Sequence, residues 1–291
     1  MPELPEVETT CRGIEPWVGG AAISDIVVRN SALRWPVHLP DELLGATVVA
    51  VQRRAKYILL RVSTDAHAPP LGTIIVHLGM SGSLRIMPAG SAPLKHDHVD
   101  LCFGDNVLRL NDPRRFGCIL FQAGDTPEQH PLLADLGVEP LGNAFSGDYL
   151  FELSRGRRAA VKNFIMDGRI VVGVGNIYAA ESLFMAGIRP GLAARRVTRA
   201  GYDGLAQAIR QVLQSAVTQG GTTLRDFVGS DGQPGYFRQS LYVYGRQDEP
   251  CRICGTTLKL KVLGQRSTVY CPTCQTSGPF LSLTQRGSIA K

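Results

Sequence analysis

The stretch "ATVVAVQRRAKYILLRV" (46–62) contains two short apolar runs that are separated by only three residues. Similar runs recur from residue 22 to residue 121, with Gly, Pro, Asn and Asp between them: "AISDIVV" (22–28), "GTIIVHL" (72–78), "HVDLCF" (98–103), "NVLRLN" (106–111) and "GCILF" (117–121). Strands this short and this closely spaced are typical of antiparallel pairing. The sequence therefore predicts an N-terminal antiparallel β-sandwich or barrel.

The second half of the chain has a different periodicity. Apolar residues recur at helical spacing in "YDGLAQAIRQVLQSAVTQGG" (202–221), and "NIYAAESLFMAGIRP" (176–190) predicts a helix that ends near its Gly and Pro. Between the halves, the polar stretch rich in Gly and Pro at 123–147 indicates a domain boundary. We predict an α+β, multidomain chain with domains at 1–135, 136–240 and 241–275 and a C-terminal tail at 276–291.

The charge of the 291-residue chain is unevenly distributed. Residues 1–150 carry 12 Lys and Arg against 17 Asp and Glu, a net charge of −5, whereas residues 151–291 carry 19 against 8, a net charge of +11. A basic half suits a polyanionic partner such as nucleic acid, although solvated basic surface is an alternative. No apolar run approaches the roughly 20 residues of a membrane span, and no export signal is present. We expect a soluble cytoplasmic protein with no membrane partner.

Four of the seven cysteines form two CxxC pairs, "CRIC" (251–254) and "CPTC" (271–274), with 16 residues between them. This spacing is typical of two knuckles that hold one structural zinc ion through Cys251, Cys254, Cys271 and Cys274. Four sulfur ligands leave no open position for a substrate water, so the metal would stabilise a fold. Two disulfides or a redox pair are the alternatives, but neither an export signal nor a βαβ context accompanies the pairs.

Four further motifs contain candidate functional residues. "VVGVGNIYAAE" places Asn176 at a predicted helix start that can bind phosphate, with Arg157 and Lys162 just upstream, although an ordinary helix cap explains Asn176 as well. "QRRAKYILL" carries Lys56 and "HLGMSGSLR" carries His77 and Met80, whereas "DPRRFG" carries Arg114 and Phe116. An exposed Met or Phe beside an Arg suits a wedge in a base stack. The alternatives are core residues and a solvated turn.

The opening "MPELPEVET" contains three Glu and two Pro in nine residues. Pro and Glu suit the first turn of a helix, which Gly19 and Gly20 would end. Removal of Met1 would also leave Pro2 as a secondary amine, a fitting nucleophile for C1′ of a nucleotide sugar. Glu3, one peptide bond away, could then move protons at the sugar or the departing base. Both interpretations are compatible with the sequence.

These motifs together resemble bacterial formamidopyrimidine-DNA glycosylase, which excises oxidised purines such as 8-oxoguanine and formamidopyrimidines and then nicks the abasic strand. The likeness is carried by blocks that span residues 1–275: "MPELPEVET", "RRAKY", "HLGMSGSLR", "KHDHVD", "DPRRFG", "VVGVGNIYAAESLF", "QGGTTLRDF", "DGQPGYF" and "YGR…EPCRICG…QR…YCPTCQ". The resemblance implies a two-layer β-sandwich, a helix-two-turn-helix domain and a zinc-finger hairpin. It also implies a bifunctional DNA glycosylase and AP lyase that acts by β,δ-elimination.

The resemblance assigns roles to individual residues. Pro2 would be the Schiff-base nucleophile, Glu3 the general acid and base, Lys56 a proton donor for β-elimination, and Arg266 a phosphate clamp and δ-elimination donor. Met80, Arg114 and Phe116 would fill the gap left by the everted base. The expected DNA-contact set also contains Glu6, His77, His96, Arg157, Lys162, Asn176 and Tyr242. The loop at 222–237 would close over the everted purine.

The expected partner is damaged double-stranded DNA, bound by a monomer associated with the nucleoid. Arg157 stands where relatives often have Lys, which keeps the charge but changes its geometry. The 17 residues after Cys274 extend beyond the end of many relatives. A non-catalytic nucleic-acid-binding module and a glycosylase for oxidised pyrimidines are the rival hypotheses, and only the first of them leaves Pro2 and Glu3 unexplained.

Overall fold

A computed structural model describes residues 2–65, 68–221 and 241–278. These residues form two compact units. The first contains the described residues up to 135 together with 217–221, and the second contains 136–216 and 241–278. The domain boundaries predicted above concern where the chain divides into independently folding parts, and they stay predictions. Within the described ranges, no helix is both long and apolar enough to cross a membrane.

The first unit is built on two four-stranded antiparallel sheets, which confirms the predicted sandwich. One sheet has the order β2-β3-β4-β8, with β2 (Thr47–Arg54), β3 (Tyr57–Ser63), β4 (Pro70–His77) and β8 (Cys118–Ala123). The other has the order β1-β6-β7-β5, with β1 (Asp25–Val28), β5 (Ser83–Pro88), β6 (Asp97–Phe103) and β7 (Asn106–Asn111). A single apolar core contains side chains of both sheets, such as Ile58 and Leu60 of β3 and Leu101 and Leu108 of the opposite sheet.

Two chain segments cross from one sheet to the other side by side. The 78–82 loop joins β4 to β5, and the 112–117 loop joins β7 to β8. The strand register pairs His77 with Cys118 and Ser83 with Asn111, so the two loops run antiparallel at the same edge of the sandwich. This topology brings the "GMSG" and "PRRF" motifs together, although about 30 residues separate them in sequence.

Helix α1 (Leu4–Val18) packs against the sandwich, as predicted from the opening sequence. Its buried stripe includes Val7, Ile14 and Val18, which belong to the same apolar core as the sheets. The helix ends at Gly19, whose N–H donates to the carbonyl of Glu15 at 2.9 Å. Burial of this stripe fixes the position of the chain start relative to the first sheet.

The second unit contains helices α2 (Gly147–Ser154), α3 (Val161–Ile165), α4 (Asn176–Met185) and α5 (Arg199–Thr218), the last of which ends in the first unit, and the hairpin β9 (Lys259–Leu263) and β10 (Arg266–Tyr270). The helix predicted over 176–190 ends early, because Gly187 takes a left-handed conformation with φ 73°. The helix predicted over 202–221 begins three residues earlier and ends at Thr218. Helices α2 and α3 and strand β5 were not predicted.

Candidate active site and nucleic-acid interface

The start of the described chain is buried and capped. Pro2 and Glu3 directly precede α1, and only 2% of Glu3 is exposed. The Glu3 N–H donates to the Glu6 carboxylate at 2.8 Å, which satisfies one of the free donors of the helix start. Gly221, with φ +81°, packs so closely on Glu6 that an added Cβ would lie 3.0 Å from Glu6 Oε1. These contacts hold the peptide that carries Pro2 in one place.

Lys56 and His77 lie at the same corner of the first sheet. Lys56 occupies the tight turn between β2 and β3, next to Ala55 with φ 55°, and the following residue, Tyr57, pairs with His77 across the sheet. Burial lowers the pKa of His77 to about 4, and the positive charges of Lys56 and Arg34 add to the shift. His77 Nδ1 accepts the Gly79 N–H at 3.0 Å. A neutral His77 therefore carries its proton on Nε2, where it is a hydrogen-bond donor.

Met80 and Phe116 project from the two adjacent crossing loops. Met80 is 37% exposed and Phe116 is 42% exposed, so neither is a core residue. The Arg114 guanidinium lies over the Phe116 ring, 4.7 Å from its centroid. Two exposed apolar side chains and a cation share one edge of the sandwich, which is the composition needed to replace a base in a stack.

His96 lies at the entrance to β6 in a left-handed conformation, with φ 74°. The loop ahead of it is held by buried ion pairs. The Asp97 carboxylate accepts the Leu94 N–H at 2.7 Å, and Arg109 donates to the carbonyl of Ser91 at 3.0 Å while it binds Asp100 through two hydrogen bonds of 2.9 and 2.8 Å. The half-buried His96 is thus presented by a fixed backbone.

In the second unit, Asn176 begins α4 and is clamped from both sides. The ammonium of Lys162 donates to Asn176 Oδ1 at 2.6 Å, to Thr268 Oγ1 at 2.7 Å and to the Ser267 carbonyl at 3.2 Å. The Asn176 amide donates to the same Ser267 carbonyl at 3.2 Å. The start of α4 is therefore tied to strand β10 of the hairpin.

Arg157 and Arg266 are both exposed basic residues of the second unit. Arg266 is the first residue of β10, directly after a turn formed by Gly264 and Gln265 with positive φ. An added Cβ at Gly264 would lie 2.7 Å from Asn163 Nδ2, so this turn packs closely on α3. Arg157 lies in the segment between α2 and α3. Both guanidinium groups have the exposure that a phosphate contact requires.

The four predicted zinc ligands converge, with all four sulfur atoms within 4.8 Å of one another. The sulfur atoms of Cys251 and Cys274 are 3.9 Å apart, and those of Cys254 and Cys271 are 3.5 Å apart. Zn–S bonds of about 2.3 Å give a tetrahedron whose sulfur atoms are about 3.8 Å apart. The observed distances fit zinc and are too long for disulfide bonds, in which the sulfur atoms are about 2.05 Å apart. The Cys274 N–H donates to the Cys271 sulfur at 3.2 Å, a contact that suits a metal-bound thiolate.

Family comparisons agree with this arrangement. A family model described as "Formamidopyrimidine-DNA glycosylase N-terminal domain" matches residues 1–119, the "Formamidopyrimidine-DNA glycosylase H2TH domain" matches residues 136–228, and the "Zinc finger found in FPG and IleRS" matches residues 248–276. The formamidopyrimidine-DNA glycosylase of Magnetococcus marinus is 56% identical to this chain over 280 residues, which cover 94% of this chain and 99% of that protein. The chain belongs to the formamidopyrimidine-DNA glycosylase family.

Other relatives support the same assignment. The formamidopyrimidine-DNA glycosylase of Cellvibrio japonicus is 55% identical over 277 residues, with 94% of this chain and all of that protein covered. The crystal structure of the Thermus thermophilus protein matches with a TM-score of 0.83 at 37% identity and covers 96% of this chain and 100% of that chain. A Lactococcus lactis variant in complex with DNA that contains Fapy-dG matches with a TM-score of 0.86 at 30% identity and covers 94% of this chain and 100% of that chain.

Family membership confirms several expectations from the sequence. The protein is a DNA glycosylase of base excision repair, with an N-terminal sandwich, a helix-two-turn-helix domain and a zinc finger. The finger model and the geometry of the four cysteines together establish one structural zinc site. Part of the finger core comes from α4, since Ala180 and Phe184 pack with Leu258 and Val269 around the cysteines.

Two of the predicted DNA contacts, Lys162 and Glu6, are buried in the structure, and their contact with DNA stays a prediction. Lys162 is fully buried, and its ammonium donates to Asn176 and to the hairpin, so it holds Asn176 in place. Glu6 is 2% exposed, and its carboxylate caps α1. The loop at 222–237, expected to close over the base, lies outside the described residues.

Sequence reasoning missed Glu181. This residue is buried in α4, and its carboxylate accepts the N–H groups of Tyr242, Val243 and Tyr244 at 2.8 to 2.9 Å. Burial raises the pKa of the Glu181 carboxyl, and the three N–H donors oppose that rise. Tyr242, a predicted DNA contact, also stacks on Phe184 with 5.3 Å between ring centroids. An acidic residue inside an apolar helix run was the available signal.

Proposed function

We propose that this glycosylase excises oxidised purines, namely 8-oxoguanine and formamidopyrimidines, and then cleaves the abasic strand as an AP lyase. The observation that carries the proposal is the buried Pro2–Glu3 pair, which the capped start of α1 holds in a fixed position. The names of the relatives and the Lactococcus lactis complexes with DNA containing Fapy-dG or an abasic site support the substrate class. With Met1 removed, Pro2 would present a secondary amine.

The proposed chemistry begins when the Pro2 nitrogen attacks C1′ of the damaged nucleotide. The N–C1′ bond forms, and the purine leaves with the electron pair of its glycosidic bond. The departing purine takes up the N–H proton of the Pro2 nitrogen, and Glu3 delivers a proton to the sugar ring oxygen. The ring then opens, and the lone pair of the nitrogen forms an iminium between Pro2 and C1′. A covalent intermediate of this kind divides one difficult substitution into easier steps.

Elimination follows from the positive charge of the iminium. Loss of a proton from C2′ pushes electrons toward C3′, and the 3′-phosphate leaves with its C–O electron pair. Loss of the C4′ proton then expels the 5′-phosphate from C5′, and water releases the remaining sugar from Pro2. We assign proton transfer in the first elimination to Lys56 and phosphate binding with proton donation in the second to Arg266. Lys56 is half-buried, and Arg266 is exposed.

We propose that exposed polar groups hold the duplex and that three side chains replace the everted base. Arg157, His96 and the neutral His77 would contact phosphates, and Asn176 would do so together with the N-terminus of α4. Tyr242 would contribute a contact from the second unit. Met80, Arg114 and Phe116 would occupy the gap in the stack. We further propose that the protein acts as a monomer in the cytoplasm, associated with the nucleoid.

The decisive experiment is covalent trapping with borohydride, which reduces an iminium to a stable amine. Wild-type protein with a duplex containing 8-oxoguanine should give a covalent adduct, and Pro2→Gly should give none. Pro5→Gly, which changes a proline inside α1, is the matched control and should still be trapped. Intact mass should show that Met1 is absent. An adduct that persists with Pro2→Gly, or faster cleavage of thymine glycol than of 8-oxoguanine, would refute the assigned chemistry or substrate.

Binding to the duplex should weaken with salt because phosphate contacts release counterions. Each contact contributes a slope of about −0.9 to the plot of log affinity against log salt. Arg157→Gln should therefore flatten the slope by about 0.9. The exposed Arg12→Gln variant is a suitable control, since Arg12 pairs with Glu8 on α1. An unchanged slope with Arg157→Gln would contradict a phosphate contact at this position.

A further inference from the structure

Asp112 occupies the junction of the two crossing loops. It is the first residue after β7, and it is fully buried. Its Oδ1 accepts the hydroxyl of Ser81 at 2.8 Å, and its Oδ2 accepts the N–H of Gly117 at 2.8 Å. Ser81 is adjacent to Met80, and Gly117 is adjacent to Phe116. One carboxylate thus bonds to the immediate neighbours of two of the three proposed gap-filling residues.

The third gap-filling residue is held by the same group of atoms. The Arg114 N–H lies 3.3 Å from both Asp112 Oδ1 and Ser81 Oγ. The Arg115 N–H donates to the Asp112 carbonyl at 3.2 Å, and Arg115 takes a left-handed conformation with φ 56°. This backbone path turns the Arg114 and Phe116 side chains outward, where the guanidinium lies over the ring.

The two loops also touch backbone to backbone. An added Cβ at Gly79 would lie 2.5 Å from the backbone nitrogen of Gly117, and one at Gly117 would lie 2.5 Å from the carbonyl oxygen of His77. Only glycine permits such an approach at both positions. Because the loops touch at Gly79 and Gly117 and are also bridged by Asp112, neither loop can shift without the other.

Asp112 connects this pair of loops to a third element. Its backbone N–H donates to the carbonyl of His96 at 3.0 Å, and its carbonyl accepts a hydrogen bond from His98 Nε2 at 2.8 Å. His96 is itself a proposed phosphate contact. Asp112 therefore links the proposed gap-filling side chains to His96, a proposed phosphate contact directly before β6.

We infer that Asp112 is a positioning residue that makes the loops 78–82 and 112–117 one rigid wedge for insertion into the base stack. The inference rests on the proposed function of Met80, Arg114 and Phe116. Pre-organised loops lose less conformational entropy when they enter DNA, so the wedge should lower the barrier to base eversion. A carboxylate suits this role because its two oxygens accept several N–H and O–H donors at once.

The test is a double-mutant cycle on excision from a lesion-containing duplex. Phe116→Ala and Asp112→Ala should each lower kcat/KM by at least about tenfold, because the first removes the wedge and the second leaves it unpositioned. If Asp112 acts through the wedge, kcat/KM of the double variant should lie less than about threefold below that of the less active single variant. Asp105→Ala, which removes an exposed carboxylate at the other end of β7, should match wild type.

A second readout separates positioning from a general loss of structure. The ratio of duplex excision to borohydride trapping on a single-stranded abasic oligonucleotide should fall with Asp112→Ala, since a single strand needs no wedge. Ser81→Ala, which removes one hydrogen bond and keeps the carboxylate, should lower the same ratio by a smaller factor. This variant covers the case in which Asp112→Ala does not fold.

The outcomes distinguish this inference from the proposed function. Multiplicative effects of Asp112→Ala and Phe116→Ala, or a ratio unchanged by both Asp112→Ala and Ser81→Ala, would overturn the positioning role while wild-type trapping still supports the chemistry. Absence of trapping with wild-type protein would overturn the proposed function itself. Wild-type excision with Phe116→Ala would show that the wedge is not used.

Discussion

The clamp around Lys162 offers the sharpest test of how the second unit is held together. Lys162→Met keeps an unbranched side chain that is one atom shorter and removes its charge. The substitution deletes two short hydrogen bonds, at 2.6 Å to Asn176 and 2.7 Å to Thr268, and a longer one to the Ser267 carbonyl. Hydrogen bonds from a charged group are worth about 1.5–3 kcal/mol each, and one of the abandoned acceptors, Thr268, is buried. We expect the free energy of unfolding to fall by about 3–5 kcal/mol.

Denaturant unfolding of wild type and Lys162→Met would measure this loss. Lys261→Met removes an exposed lysine of the adjacent strand β9 and should change stability by less than about 0.5 kcal/mol. Hydrogen exchange should also show faster exchange at the start of α4 and along β10. A loss below about 1 kcal/mol, with unchanged exchange in β10, would refute the view that the ammonium joins these elements.

Three further predictions concern pH, backbone space and the metal. The pKa of His77 in the folded state is about 4, below the ordinary value of about 6.5, so between these pH values the unfolded chain binds more protons than the folded one. The free energy of unfolding should therefore fall as the pH decreases from about 6.5 to 4. Denaturation curves of His77→Gln should lack this part of the fall. Gly79 and Gly104 have φ of +62° and +60°, but only Gly79 is crowded. Thermal denaturation should show that Gly104→Ala lowers the free energy of unfolding by about 1 kcal/mol and that Gly79→Ala lowers it by about 1–3 kcal/mol more. Equal losses for the two variants would disprove the close contact between the loops. Cys274→Ser should remove the bound zinc, as measured by elemental analysis, and should speed hydrogen exchange at the amides of 241–278 while exchange in the sandwich stays unchanged. Zinc retained by this variant would exclude the four-cysteine site.

Seven of the eight strands of the sandwich were predictable, because each of these seven carries its own signal. Runs such as "KYILLRV" and "NVLRLN" place apolar residues in short segments bounded by turn residues, and β3 and β7 lie within one residue of those runs. Strand β5 was missed because it directly follows "GMSG", whose glycines indicate a turn, so the residues after them were not predicted to form a strand. Helix α2 had a local signal that was overlooked, since Ser146 caps it by accepting the Tyr149 N–H at 3.1 Å.

The buried charges could not be predicted, because their burial depends on partners far away in sequence. Lys162 follows a basic run and has the sequence context of a surface residue, yet its partners Ser267 and Thr268 are about a hundred residues away. Glu181 depends in the same way on backbone groups 61 to 63 residues further along the chain. Local periodicity carries no information about such pairs.

Helix α4 shows why these buried charges matter for a site assembled from distant segments. Its first residue, Asn176, is fixed to β10 through Lys162, and its middle residue, Glu181, fixes the backbone of 242–244. An apolar helix face could pack against both segments but could not define the direction of each N–H and carbonyl. Hydrogen bonds to a buried ammonium and a buried carboxylate do so, because an unsatisfied charge at either position is costly. The buried ammonium of Lys162 and the buried carboxylate of Glu181 therefore fix the finger hairpin and the Tyr242 segment to the same helix, α4.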